Sequence, residues 1–258
     1  MLRYILRRLA LMVLLLFGVS VLVFLISHLV PSNPAAANLS QTALNDPEIV
    51  AAYEAKWGLD KPIWEQYIIY MKNILINHDL GTSIRTGRPV LDELAQYFPA
   101  TLELSVFAML IAIVLGITFG VLSAIFQNKP LDYILRTVSV SGVSLPSFWF
   151  ALLVMNLFCN VLGIFPSGNR FNPRLFDPTG GTGFYVLDAI SWGNWALLGD
   201  VLAHLFLPAL VLGFFTMGLI TRQTRSNLLE AMSSDYIRTA RAKGMKESRV
   251  VVHHALGN

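Results

Sequence analysis

The chain is 258 residues long; 55% are hydrophobic and only 14% charged, where ordinary soluble domains carry roughly a quarter charged residues. A mean hydropathy of +0.58 excludes a water-soluble globule and places the chain in a bilayer. The net charge of +3 is no argument for a nucleic-acid partner, because the basic residues gather at the ends of apolar runs, and a single cysteine, Cys159, excludes a disulfide framework or a cysteine-based metal centre.

A bilayer core about 30 Å thick needs roughly 20 apolar residues of helix. Four stretches qualify, approximately 9–30, 102–126, 134–163 and 201–221. Arg3, Arg7 and Arg8 precede the first, which is too long for a signal-peptide core and is followed by no clean small-residue cleavage site; it is read as a retained span.

Residues 31–101 are longer than an ordinary connection and have their own helical periodicity. Asp46 caps a helix starting at Pro47 and ending at Gly58; a second begins at Pro62 and sets Ile63, Tyr67, Tyr70, Met71 and Ile74 on one side. A third, over 89–98, follows a turn-like stretch from Gly81 to Gly87. This periodicity predicts a small helical cap resting on the spans, with a dedicated ligand site as the other reading.

Near the start of the second span Glu103 is expected at the interface, looking toward outer water or a cavity, since a carboxylate facing lipid is costly. Gly116 and Gly120, in GITFG, permit close approach of some partner helix. Pro146 and Pro208 interrupt the third and fourth spans, and SLPSFWF, residues 144–150, combines the first interruption with hydroxyls and aromatics. That stretch either lines a pathway or is a kinked packing contact. His28 and His204 are read as rings at the outer ends of spans one and four, and a metal pair would need ligands that the nearby sequence lacks. His253 and His254 are adjacent, so on a helix they diverge and make no two-histidine clamp. No metal site is predicted.

Orientation follows from Lys and Arg in the short flanks. Arg3, Arg7 and Arg8 place the N-terminus in the cytoplasm, and Lys129 with Arg136 place the loop between spans two and three there. Seven basic residues follow span four (Arg222, Arg225, Arg238, Arg241, Lys243, Lys246 and Arg249) against Glu230, Asp235 and Glu247, so the C-terminal end is cytoplasmic too. Residues 31–101, with eight acidic against five basic side chains, and the loop 164–200 then lie outside. The expected organisation is 1–30, N-terminus and first span; 31–101, extracytoplasmic helical segment; 102–221, three spans with the outer loop at 164–200; and 222–258, a cytoplasmic motif.

No Gly-x-x-x-x-Gly-Lys-Ser/Thr phosphate loop, Gly-x-Ser-x-Gly elbow or His-Glu-x-x-His zinc helix occurs in the sequence. An enzyme reading therefore has little support, and energy for solute movement has to enter through another subunit.

The cytoplasmic stretch DYIRTARAKGMKES, 235–248, reads as helix, glycine, helix. Asp235 is expected to cap a helix over Tyr236 to Lys243, and Gly244 suits the left-handed residue that ends it. A second helix starts near Lys246 and carries Val250, Val251, Val252, Ala255 and Leu256. Tyr236, Ile237 and Ala240 gather on one side of the first helix, Arg238 and Arg241 on another. So short a unit cannot span a membrane and must dock at its surface. Composition alone favours a basic lip on anionic headgroups, about 1 kcal/mol per Lys or Arg.

Resemblance shifts that balance. DYIRTARAKG followed by HALGN resembles the coupling motif of binding-protein-dependent ABC transporter permeases of the dipeptide/oligopeptide branch, with Arg238, Thr239, Ala240 and Gly244 where the wider family has Glu-Ala-Ala-x-x-x-Gly. LRYILRRLALMV, GLDKPIWEQY, HDLGTS, FPATLELSVFAMLIAIVLGITFGVLSA, SLPSFWFALL, TGFYVLDA and HLFLPALVLG are similar to the same family in the same order. The resemblance implies an all-α, polytopic bundle in the bacterial inner membrane, with four spans in this chain where the family usually has six. It implies a second homologous permease, two cytoplasmic ABC ATPases that bind the ATP and Mg, an extracytoplasmic solute-binding protein, and no cofactor in this chain. The ATPase-coupling residues it implies are Asp235, Tyr236, Ile237, Arg238, Thr239, Ala240, Arg241, Lys243 and Gly244. Ser144, Pro146, Ser147, Phe148 and Trp149 are the candidate lining of the translocation path.

Three departures stand out. Pro31-Ser32-Asn33-Pro34 replaces the familiar Pro-Gly-Asp-Pro, Gly257 stands where relatives commonly have Arg, and the sequence stops at Asn258 where family members continue through two further spans. A truncated, non-transporting remnant or scaffold subunit is therefore the alternative expectation. Within transport, nickel, haem, glutathione and cationic peptides are the alternative solutes to dipeptides and oligopeptides.

Overall fold

The computed structural model describes residues 2–29, 45–83, 85–177 and 180–256. The Pro31–Pro34 departure and Gly257 lie outside them. Apart from an isolated bridge between Thr82 and Pro89, the regular structure of the described residues is helical.

The chain divides into two compact units, Met1–Ala95 and Gln96–Asn258. In the first, α1 spans Leu2–Leu29 and exposes apolar side chains all round, as a lipid-facing helix should. Helix α2, Pro47–Trp57, has the expected cap, with Asp46 accepting from the Glu48 N–H at 3.0 Å, and ends at Gly58. Helix α3, Ile63–Leu75, starts directly after Pro62. Tyr67, Tyr70, Met71 and Ile74 are half-buried on it as expected, while Ile63 is exposed. Its most buried side chains are polar, Gln66 and Asn73. Tyr67 pairs with Ser20 across to α1 at 2.7 Å, and Gln66 Oε1 meets His28 Nε2 at 2.9 Å while its amide ties down the Leu59 and Lys61 carbonyls. His28 is thus a packing residue between α1 and α3.

Two expectations need correction. The separate helices 89–98 and 102–126 are one helix, α4, Val90–Ile125, running through Pro99. A single interior proline removes one ladder bond, and the surrounding LDELAQYF and the apolar run after it contain no second breaker to finish the interruption. The other is the fourth span, whose Pro208 leaves its helix unbroken, whereas the third span is interrupted at Pro146 as expected. Helices α5, Pro130–Ser144, and α6, Ser147–Met155, meet at 107°. Pro146 drives Leu145 out of the helical region to φ −92°, ψ 142°, as the residue before a proline prefers, and the missing N–H does the rest. Among the described residues three helices are long and apolar enough to cross a membrane, four if the bent pair is one span.

Helix α6 unwinds into a π-helical turn, Asn156–Val161, and α7, Tyr185–Ser191, lies in the following loop. Helix α8, Trp195–Ser233, passes Pro208 without breaking. Its 39 residues make it about 58 Å long, well beyond a 30 Å bilayer core, so the helix runs on past the span end expected at 221.

Helices α4 and α8 pack through the small residues. A methyl at Gly116 would lie 2.7 Å from Ile220 Cβ, and one at Gly120 would lie 2.6 Å from Thr224 Cβ. The GITFG pattern thus names its partner, the 220–224 turn of α8. Glu103 lines a hollow, one of the two surroundings expected for it. It is only 7% exposed, bonded to Arg170 Nη2 at 2.6 Å and to the Val186 N–H at 2.7 Å. A buried carboxylate requires such partners, and they come from a loop about 70 and 80 residues away that periodicity does not position. Below it, Asp188 accepts from Thr182 N–H and hydroxyl and from Gly183 N–H, shaping the TGFYVLDA turn on which Arg170 rests.

Candidate functional site

Beyond the last turn of α8 the chain turns at Ser234 and forms α9, Asp235–Ala242. Ser234, not Asp235, is the cap residue, and its hydroxyl turns back to the Ala231 carbonyl. Asp235 sits in the first turn with its side chain 94% exposed, where a negative charge suits the positive end of the helix, and pairs loosely with Arg238 at 3.3 Å. Thr239 closes on the Asp235 carbonyl at 2.9 Å. Helix α9 ends at Ala242, Lys243 caps it, and Gly244 takes φ +76°, the left-handed conformation expected from its position.

The remainder, short α10, Glu247–Arg249, continues into a π-helical turn, Val250–Ala255. Five-residue spacing replaces the regular helical face here, so Val250, Val251 and Ala255 are buried while Val252 and Leu256 are exposed. His253 and His254 diverge, with ring centroids 6.2 Å apart.

Ile237 and Ala240 face inward on α9. With Val250, Val251, Ala255, Leu228 of α8 and Ala124 at the end of α4 they form one buried cluster, in which Ile237 is fully buried. Tyr236, assigned by sequence to the same face, is 41% exposed. Arg238, Thr239, Arg241 and Lys243 are outward. Arg241 is tied by two bonds to Glu247, Nε to Oε2 at 3.1 Å and Nη2 to Oε1 at 2.5 Å, which clamps α9 to α10 across the glycine turn. Hydrogen bonding to Arg241 holds the Glu247 carboxyl below its ordinary range, and Glu247 in turn raises Arg241. The result is a knuckle with an apolar underside fixed to two long helices and a polar, mostly basic outer surface.

Sequence reasoning missed the polar joint beside it. Asp132, fully buried in the first turn of α5, receives Arg225 Nε at 3.1 Å and Nη2 at 2.9 Å, the Ser123 hydroxyl and the Asn128 N–H at 3.0 Å. Ser123 lies on α4, Asn128 in the α4–α5 turn, Arg225 on α8; one carboxylate therefore locks three elements. The only available signal was a lone acid after Lys129-Pro130 in an otherwise basic loop.

The candidate path residues lie at the 107° break. Ser144, Pro146, Ser147, Phe148 and Trp149 are all exposed, Phe148 at 70%, and the cavity beside α6 is lined further along by Ala151, Val154 and Met155. The break brings these five together, separate from the knuckle residues.

Residues 116–258 match the family described as the binding-protein-dependent transport system inner membrane component, and residues 1–105 match its N-terminal counterpart. The chain belongs to this family. It is 46% identical over 247 residues to a probable D,D-dipeptide transport system permease protein of Escherichia coli strain K12, covering 96% of this chain and 72% of that protein. It is 43% identical to a dipeptide transport system permease protein of Alkalihalophilus pseudofirmus, over 100% of this chain and 76% of the relative. An oligopeptide transport system permease protein of Bacillus subtilis is 36% identical over 99% of this chain and 74% of its own length. As a member of this family of membrane components the chain is a multi-pass membrane protein.

Proposed function

We propose that this chain is a permease subunit of an ATP-driven importer for dipeptides or oligopeptides, and that α9 and its flanks are the dock for an ATP-hydrolysing subunit. The observation that carries this reading is the two-sided knuckle. Its underside, centred on Ile237, is continuous with the ends of α4 and α8, while Arg238, Thr239, Arg241 and Lys243 remain available to a partner. A push on that outer surface reaches the membrane helices through packed side chains, which suits rigid-body alternating access. The names of the relatives support dipeptides or oligopeptides as cargo.

The assembly in this reading contains a second homologous permease, two cytoplasmic ATPases and an extracytoplasmic solute-binding protein. ATP and Mg are bound by the ATPases, and this chain catalyses nothing itself. Both ends of the chain are cytoplasmic, because Arg3, Arg7 and Arg8 flank one apolar run and the basic 222–249 segment follows another. The outer segment and the 164–200 loop face the binding protein.

Isolation of the complex in mild detergent tests the proposal. An ATPase and a second permease should co-purify, and reconstituted vesicles should take up a labelled dipeptide with hydrolysis stimulated by the loaded binding protein. In such vesicles Arg238→Glu with Arg241→Glu should uncouple hydrolysis from uptake while membrane insertion is retained. Peptide uptake at the unaltered rate in that variant would refute the dock.

A further inference from the structure

Two adjoining hollows lie between α4, α6, the 164–170 loop and α8. One, of about 270 Å³, has a mixed lining in which Thr101, Glu103, Arg170 and His204 sit among Leu104, Val201 and Leu205. The other, of about 420 Å³, is walled by Ala151, Val154, Met155, Leu207, Val211 and Leu212. Asn169, His204 and Pro208 border both. The larger lies within the size range of pockets that hold small ligands.

Two side chains of the smaller hollow, His204 and Arg170, supply hydrogen-bonding groups. His204 has its side chain only 6% exposed, and its Nδ1 lies 2.8 Å from the Asp200 carbonyl. A carbonyl only accepts, so Nδ1–H donates to it, with Asp200 Oδ2 3.6 Å from the same nitrogen, and Nε2 is the ring atom left to meet a solute. Arg170 spends Nη2 on Glu103 and on the Gly183 carbonyl, and its plane stacks 3.9 Å from the Tyr185 ring centroid. Its Nη1 and Nε have no partner among the described residues. The Arg170–Glu103 pair is neutral as a unit, so the hollow suits uncharged polar groups better than a second full charge.

A donor and an acceptor beside an apolar chamber match the main chain of a short peptide with an apolar side chain. We infer that these hollows are a solute station in this chain: Arg170 Nη1 donates to a peptide carbonyl, His204 Nε2 accepts a peptide N–H, and the adjacent side chain occupies the chamber bounded by Ala151 and Val211. The inference rests on the peptide-importer reading and adds to it a preference by side-chain size in the membrane subunit itself. A lipid acyl chain is the competing occupant of the chamber, but it makes no use of the donor–acceptor pair.

The test uses the complete transporter in vesicles and compares uptake of alanyl-glycine and alanyl-phenylalanine. Ala151→Phe and, separately, Val154→Phe reduce the chamber. Each should lower alanyl-phenylalanine uptake about tenfold or more relative to alanyl-glycine uptake, in line with what pocket size achieves elsewhere. His204→Ala should slow both peptides alike, and His204→Gln, which restores an acceptor, should recover both. The affinity of the isolated binding protein for each peptide provides the correction for selection upstream. An unchanged ratio in both chamber variants, or equal loss of both peptides in both, overturns the station while leaving the importer reading intact. A wild-type transporter that accepts neither peptide removes both.

Discussion

Replacing Gly120 by Ala should destabilise this protein, against the ordinary expectation for a helix. In an open helix that change gains up to about 1 kcal/mol of propensity. Here the new methyl would sit 2.6 Å from Thr224 Cβ and 2.9 Å from the Thr221 carbonyl oxygen. Carbon atoms pack at about 3.5–4.0 Å, so the shortfall is about 1 Å, and neither neighbour can rotate away, because one atom is backbone and the other is fixed to it. The helices must separate. Overpacking of this kind costs about 1–3 kcal/mol, and an opening of that size also forfeits a quarter to a half of each dispersion contact along the seam. The net effect should be a loss of about 1–2 kcal/mol after the propensity gain. Gly199, on α8 with nothing within 4 Å of a methyl placed there, is the internal control, and Gly199→Ala should gain a few tenths to about 1 kcal/mol. Thermal unfolding of the purified chain in detergent reads both. Equal or greater stability of Gly120→Ala would refute the close approach, as would additivity with Thr224→Gly, which should relieve the clash.

Other predictions concern the knuckle and the Asp132 joint beside it. Asp132→Asn should cost about 2–4 kcal/mol in the same unfolding assay, because Arg225 loses its counter-charge, whereas Asp132→Leu with Arg225→Met should recover most of the loss. Gly244→Ala should cost about 1–2 kcal/mol, a purely backbone penalty since no atom lies within 4 Å, and Gly244→Asn less; protease sensitivity of the 243–246 turn reports it. The lowered Glu247 carboxyl adds stability above its unfolded range, near pH 4.5, and loses it as pH falls through the lower folded value. With Glu247 55% exposed that contribution is under about 1 kcal/mol, and Glu247→Gln should slightly speed α9 amide exchange at neutral pH, leave it unchanged below the folded value, and so flatten this part of the acid profile.

Much of this architecture was legible in residue patterns because local physics settles it. Asp46-Pro47 and Gly58 bound α2, Gly244 takes its left-handed turn, and unbroken apolar runs give the long helices. Proline was the least legible residue, since its effect depends on what surrounds it. Pro99 and Pro208 are absorbed inside long helices, whereas Pro146, with Gly142 and two serines around it, ends one helix and redirects the next. Glu103 and Asp132 were illegible for a different reason. Their partners, Arg170 and Arg225, are 67 and 93 residues away, and no spacing rule links them. The 235–256 segment was half legible: periodicity identified Ile237 and Ala240 as inward, but the π-helical turn at 250–255 shifts which valines are buried.

The most direct measurement places a photoreactive side chain at position 238, where Arg238 has its side chain 73% exposed on the outer face of the knuckle. On illumination of the assembled transporter in its membrane, the expected product joins this chain to an ATP-hydrolysing subunit, with a yield that changes when nucleotide is added. A product with no such subunit, or labelling of position 238 by a membrane-impermeant reagent from outside the cell, would contradict the central claim that this knuckle receives the work of ATP hydrolysis.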